Sequence, residues 1–322
     1  MDRRRATGIA LVLASAAGFG SGSLFAQPVY QAGVSWLVLS AWRFLLGAGL
    51  TWGWLLLSAE RRQGLRGLDR RALIAAAALG LLYVGNSGTY FAGLETVSPS
   101  LAALIVYLYP ALVAVLSLRI GRRLHGRRAW LALSIALAGV ILAVGGIDPA
   151  ATPLLGGLLL VLASPVIYAV WIVLSARLSG ERADAVGHEA SGGASTTAAT
   201  AVMMSATAAA YWLVALGTGQ PVLPAEVPIG AWYGLAGVGV LSTFIAIQTF
   251  YAGAQRVGAA QAALISTVEP IWTIALAALL FGIALTPIQL AGGGLIIAGV
   301  LVAQTGPAAD RAPGPAIRVA DE

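Results

Sequence analysis

Two ionisable side chains fall deep inside apolar stretches of this 322-residue chain: Arg43 and Glu269. A guanidinium in an apolar bundle holds an anionic group such as a carboxylate, and a lone carboxylate there holds an ammonium or carries a proton. Each charge costs roughly 2.5–3.5 kcal/mol at membrane depth, so each should face the protein interior and have a partner. Two structural alternatives stand beside the binding roles: Arg43 capping backbone carbonyls, or Arg43 pairing with Glu269.

Polar and aromatic residues recur at helical spacing around them. Ser164, Tyr168, Trp171 and Ser175 make one stripe, and Tyr83, Ser87 and Tyr90 make another beside Asn86. Ser266, Glu269 and Thr273 share a third face, with Tyr109 at the place equivalent to Glu269. The expected substrate-binding set is Arg43, Glu269, Ser266, Asn86, Tyr90, Tyr109, Tyr168 and Trp171. Such a lining is mostly apolar with a few hydrogen-bonding groups and suits an amphipathic metabolite. The same residue types also join transmembrane helices by packing, which is the competing reading for each one. Pro110 and Pro270 each remove a backbone donor, and both are expected to kink their helices mid-span and to serve in gating; Pro165 does the same elsewhere.

The elements that must carry these residues are legible from composition. The chain is 59% hydrophobic and 10% charged, and its mean hydropathy is +0.86. Its apolar runs are each long enough to cross a hydrocarbon core about 30 Å thick. Spans are expected near 6–26, 33–58, 72–94, 98–118, 129–146, 154–176, 196–216, 230–251, 259–281 and 288–305. In that frame Arg43 and Glu269 each lie about 15 Å deep, at 1.5 Å per residue. The start, Met1-Asp2-Arg3-Arg4-Arg5 before an apolar stretch, resembles a secretory signal, but its LVLAS motif returns deep in the chain and favours an uncleaved first span.

Orientation follows from arginine, because the chain contains no lysine. With the N-terminus inside, 18 of the 19 arginines fall in cytoplasmic segments, while the opposite loops hold none. Both termini are therefore expected in the cytoplasm. The pI near 10.1 reflects basic loops beside anionic lipid heads rather than nucleic-acid binding.

The back half repeats part of the front at a constant offset of 160: Thr89, Gly93, Val97, Ala102 to Ile105 and Pro110 return as Thr249, Gly253, Val257, Ala262 to Ile265 and Pro270. The pentapeptide Leu11–Ser15 returns as Leu160–Ser164 at an offset of 149. Five spans per half is an odd number, so the second half enters upside down, the arrangement of carriers that alternate between two sides.

The paired stretches FAGLETVSPSLAALIVYLYPALVAVL and YAGAQRVGAAQAALISTVEPIWTIAL resemble the signature of EamA-type carriers in the drug/metabolite transporter superfamily. Arg43-Phe44-Leu45-Leu46 is similar to that family's second-span motif, and Glu269-Pro270 to its ninth. The chain departs from the frequent Gly-Glu after spans 4 and 9, where it reads Gly121-Arg122 and Gly282-Ile283, so no role of that glutamate carries over. The resemblance implies ten helices around a central cavity and the movement of small metabolites, often outward.

Other classes lack their residues. Without lysine there is no Walker A loop, without cysteine no thiol chemistry or disulfide, and the two histidines, His125 and His188, lie in polar loops. The expected architecture is an all-α polytopic membrane protein of two inverted five-helix repeats, 1–146 and 147–305, followed by a disordered cytoplasmic tail at 306–322. The expected function is a secondary transporter, not an enzyme, that exports amino acids or related metabolites across the inner membrane by alternating access. Its partners are a small-molecule substrate, membrane lipids and candidate coupling protons; no cofactor, metal or nucleic acid is called for. It is expected to be a monomer or weak homo-oligomer. The alternatives are a drug or organic-cation exporter, a nucleotide-sugar carrier, and a non-transporting scaffold.

Overall fold

The computed structural model describes residues 3–109, 112, 116, 127–145, 154–178, 193–257, 265–266, 268–282 and 285–304. All regular structure among them is helical. The front half supplies α1 (Arg3–Gln31), α2 (Trp36–Leu56), α3 (Ala59–Arg66), α4 (Arg70–Gly93), α5 (Pro99–Val106) and α6 (Arg127–Gly145). The back half supplies α7 (Leu155–Leu178), α8 (Gly193–Gly217), α9 (Trp232–Ala236), α10 (Ala246–Val257), α11 (Glu269–Phe281) and α12 (Pro287–Gln304). A π-helical stretch, Gly237–Ile245, joins α9 to α10 without a break. By length and hydropathy, four segments can each cross a membrane: Ala6–Gln31, Arg70–Gly93, Thr197–Gly217 and Ile229–Phe250. Composition, not contact, sets these lengths, since each must satisfy its backbone hydrogen bonds internally in lipid.

Helix starts follow local chemistry. The hydroxyls of Ser35 and Ser98 and the carboxylate of Asp69 accept N–H bonds from Val38, Leu101 and Ala72, opening α2, α5 and α4. Pro99 follows Ser98 at a position where a missing N–H costs nothing. At the other end of α11, Gly282 takes a left-handed conformation, φ 64°, that closes the helix. The basic stretch after the second apolar run is itself helical in part: Arg61 and Arg62 of α3 fold back onto the carbonyls of Trp54 and Leu56, satisfying orphaned acceptors near the end of α2.

Packing is close where side chains are small, as expected where lipid offers no hydrophobic drive between helices. The crossings of α4 on α7 and of α10 on α1 use equivalent residues. A Cβ on Gly93 would come 2.9 Å from the carbonyl oxygen of Gly157 and strike Val161; a Cβ on Gly253 would come 2.9 Å from that of Gly8 and strike Val12. The same two crossings carry a further bond each: Ser164 Oγ to Asn86 Oδ1 (2.9 Å) and Ser15 Oγ to the carbonyl of Ala246 (2.7 Å). Of the remaining helices, α2 packs on α8, α4 on α8, and α6 on α12.

At the N-terminal end of α2, the Trp36 N–H donates to Glu95 Oε1 (2.8 Å) and Ser35 Oγ donates to Gln220 Oε1 (2.8 Å). Trp42 packs edge-on against Trp212 and Trp232, and its Nε1–H donates to the Val222 carbonyl (3.0 Å). The bonds to Gln220 and Val222 fasten the 218–231 connection to the bundle.

Several expectations need correction. The second span begins at Trp36, not 33, so Arg43 lies about 11 Å into its helix rather than 15 Å. Pro270 stands in the first turn of α11, whose N-cap is Val268, and Thr267, through which any kink of the expected span would run, lies outside the described residues. A proline there leaves no interior hydrogen bond to break. In the equivalent place of the front half, α5 ends at Val106, and Tyr107 and Leu108 form a turn. Pro165, by contrast, does lie inside its helix, α7. Pro110 lies outside the described residues, as do the tail from 305 on and the loop at 179–192.

Candidate functional site

A cavity of about 120 Å³ opens between α1, α2, α4, α5, α7, the π-helical stretch and α11. Of the residues singled out by spacing, Arg43, Asn86, Tyr90, Tyr109, Tyr168 and Glu269 line it. Ser266 and Trp171 do not. Ser266 contributes its carbonyl to a contact behind the wall, and Trp171 donates its Nε1–H to the Leu79 carbonyl (3.0 Å) while stacking on Tyr168. Trp171 therefore supports the lining from outside it.

Arg43 is 4% exposed and is fixed from two directions. Its Nε–H donates to Thr243 Oγ1 at 3.1 Å, and its guanidinium carbon lies 4.3 Å from the Phe91 ring centroid and 4.7 Å from that of Phe44. The π-helical stretch explains the first contact. Thr243 Oγ1 donates to the carbonyl of Val238, five residues back, so the widened turn fixes the oxygen that receives Arg43. The two terminal nitrogens of Arg43 make no hydrogen bond to any described residue.

Glu269 begins α11 and faces the same cavity. Tyr107 Oη lies 3.2 Å from its Oε2. No ion pair within 4.0 Å joins Glu269 to Arg43. The cavity thus presents a guanidinium and a carboxyl group that do not neutralise one another.

The rest of the wall is aromatic and hydroxylic. Tyr109 packs edge-on against Tyr168 (4.8 Å between centroids), and Tyr83 against Trp171 (5.4 Å). Asn86 is held by Ser164, and Thr273 Oγ1 bonds the carbonyl of Gly20 (2.9 Å), bringing α1 onto α11. Ser87 bonds Tyr211, whose hydroxyl also donates to the Val84 carbonyl at 2.9 Å. Among the contributors that escaped the spacing argument are Phe91, Tyr107, Ser242 and Thr243. Tyr107 sits two residues before Tyr109, on what helical periodicity makes a different face, in the turn that follows the end of α5 at Val106, and it reaches the lining residue Glu269 from behind the wall. The π-helical register likewise moves Ser242 and Thr243 off the face that a 3.6-residue period assigns them. Among the described residues no cluster of His, Cys, Asp or Glu could hold a metal.

Residues 6–145 and again 155–305 match the model of the EamA-like transporter family. This chain belongs to that family. This EamA carrier is 29% identical over 299 residues to the uncharacterized transporter YcbK of Bacillus subtilis, covering 91% of each chain. It is 27% identical over 269 residues to the uncharacterized transporter YyaM of the same organism, covering 82% of this chain and 83% of the relative. An uncharacterized transporter of Archaeoglobus fulgidus is 29% identical over 237 residues, 74% of this chain and 77% of its own length. A solved crystal structure shares the fold, with a TM-score of 0.65 at 21% identity over 93% of this chain and 97% of that one. The protein is a multi-pass membrane transporter of the drug/metabolite transporter superfamily, acting on a small-molecule substrate.

Proposed function

We propose that this carrier moves amino acids or closely related zwitterions outward across the inner membrane by alternating access. The observation that carries this reading is the coexistence of Arg43 and Glu269 on one cavity wall without an ion pair. A zwitterion satisfies both: its carboxylate meets the two open nitrogens of Arg43, and its ammonium meets Glu269. Charge-assisted bonds of this kind are short and strong, and a bidentate carboxylate fits the planar guanidinium. A net organic cation would gain Glu269 but meet repulsion from Arg43, and a nucleotide sugar would require more positive charge than one arginine supplies. Protons are the proposed coupling ion, carried by Glu269.

The proposed frame is ten spans in two inverted five-helix repeats, 1–146 and 147–305, with a cytoplasmic tail after 305. It is supported by the matched crossings of α4 on α7 and α10 on α1, whose residues relate by the sequence offsets of 149 and 160. Both termini are placed in the cytoplasm on the arginine asymmetry, and a single chain encloses the cavity, so we propose a monomer. The reading is tested by counterflow in proteoliposomes with a panel of amino acids, organic cations and nucleotide sugars, with and without a pH gradient. Accumulation of amino acids alone supports it; movement of another class, or of none by folded protein, overturns it.

A further inference from the structure

The C-terminal end of α4 leaves two carbonyls that the chain's own turn does not use. The Leu94 N–H returns to the Tyr90 carbonyl, that of Glu95 to Ala92, and those of Thr96 and Val97 both to Gly93. The closing turn thus reaches neither Phe91 nor Leu94, and both are left as orphaned acceptors of a helix end. Side chains of α1 meet them. Tyr30 Oη donates to the Phe91 carbonyl at 2.7 Å, and Gln27 Nε2 donates to the Leu94 carbonyl at 3.5 Å. The start of α2 adds a third bond, from the Trp36 N–H to Glu95 Oε1 (2.8 Å). All three run one way: the donors stand on the α1–α2 hairpin and the acceptors on the end of α4, the negative end of that helix's dipole.

Elsewhere α1 and α4 touch little, since α1 packs along α10 and α11 while α4 packs along α7 and α8. Their ends are joined by these side-chain bonds rather than by a helix crossing. The joint also adjoins the cavity. Phe91 lines it, and the Phe91 ring centroid lies 4.3 Å from the guanidinium carbon of Arg43. One residue therefore holds the binding charge on its ring and the bond from α1 on its carbonyl.

The donors are not repeated in the second half. The offset of 149 carries Gln27 to Ala176 and Tyr30 to Ser179, while the offset of 160 carries Phe91 and Leu94 to Tyr251 and Ala254. An alanine side chain has no donor, and a serine hydroxyl has a shorter reach than a phenol. The two ends of the cavity are then fastened by unequal chemistry.

We propose that Tyr30, with Gln27 beside it, is a positioning residue: it latches the end of α4 to the α1–α2 hairpin and biases the carrier toward the state closed at that end. The proposal rests on the alternating-access reading. Opening there parts α4 from the hairpin and exposes the Phe91 and Leu94 carbonyls to water, which replaces the lost bonds. The bias is therefore that of a net hydrogen bond, about two- to tenfold in population.

The chain has no cysteine, so a single reporter thiol is unambiguous. Ala103 lines the cavity from α5 and is buried. Ala103→Cys is labelled with a membrane-impermeant methanethiosulfonate from one face of the membrane or from the other, and the ratio of the two rates is the readout. Gln31→Cys, at the exposed end of α1, fixes beforehand which face the latch lies on. In Tyr30→Phe the rate from the latch face, divided by that from the opposite face, is expected to rise about two- to tenfold. A merely loosened bundle admits the reagent from both faces alike, so a ratio that stays put or falls overturns the proposal. Should Tyr30→Phe fail to fold, Gln27→Leu decides instead: a smaller rise supports the latch, and no rise overturns it. Labelling needs no substrate, so the two readings fail separately. Amino acids that do not move in counterflow sink the substrate reading alone, and amino acids that move beside an unaltered ratio sink the latch alone.

Discussion

Arg43 Nε donates to Thr243 Oγ1 at 3.1 Å, which fixes the guanidinium by one edge and leaves its two terminal nitrogens toward the cavity. The acceptor is itself placed by the π-helical stretch, so a backbone irregularity in one half orients a charge in the other. Arg43→Gln removes the charge and the fork. Half-saturation for a carboxylate-bearing substrate should rise roughly tenfold to hundredfold, corresponding to about 1.5–3 kcal/mol for bonds to a charged group. Arg43→Lys should recover little of this, because an ammonium lacks the planar pair of donors. Concentration-dependent counterflow measures both.

Glu269→Gln keeps the shape and the contact with Tyr107 but cannot titrate. Transport driven by a pH gradient should disappear in this variant, while exchange of substrate without a gradient persists at reduced affinity. The sign is set by the chemistry: protonation removes the negative charge that holds an ammonium, so substrate binding to the parent should weaken as pH falls, and the variant should lose that dependence. Binding isotherms at several pH values distinguish the outcomes. An unchanged pH profile in Glu269→Gln would exclude proton carriage by this residue.

The matched glycines offer a stability test. Gly93→Ala and Gly253→Ala each place a methyl group 2.9 Å from a backbone oxygen that belongs to another helix. Each should destabilise the folded protein by about 1–3 kcal/mol, the usual cost of overpacking. Thermal unfolding in detergent should show similar losses for the two. A large loss for one and none for the other would argue against equivalent crossings.

Trp42→Phe deletes the Nε1–H that holds the Val222 carbonyl while keeping an aromatic ring between Trp212 and Trp232. The 218–231 connection should become several times more susceptible to proteolysis, with the bundle otherwise intact, for a bond worth about 0.5–1.5 kcal/mol. Limited proteolysis with mass mapping reads this directly.

Composition and the arithmetic of apolar runs made the membrane-spanning class and the helical architecture legible before any coordinate, and the paired motifs carried the resemblance to the family. Residues such as Asn86, Tyr90 and Tyr168 could be named because α4 and α7 are regular, so spacing reports facing. The method failed where regularity failed. Tyr107 meets Glu269 from the turn that follows α5 at Val106, and Thr243 reaches Arg43 from a π-helical register. Trp171 obeys its stripe yet stands behind the wall, since spacing assigns a face and not a depth.

By itself, then, the sequence determined what lipid solvation dictates: which stretches must be helical, how the halves correspond, and that two charges sit where water is scarce. Tertiary structure alone decided whether those charges pair. Arg43 and Glu269 belong to α2 and α11, separated by more than two hundred residues, and their relation depends on how interposed helices stack rather than on any local preference. The close approaches at Gly93 and Gly253 fix two of the helix crossings, and the stacked helices bring the two groups to one cavity.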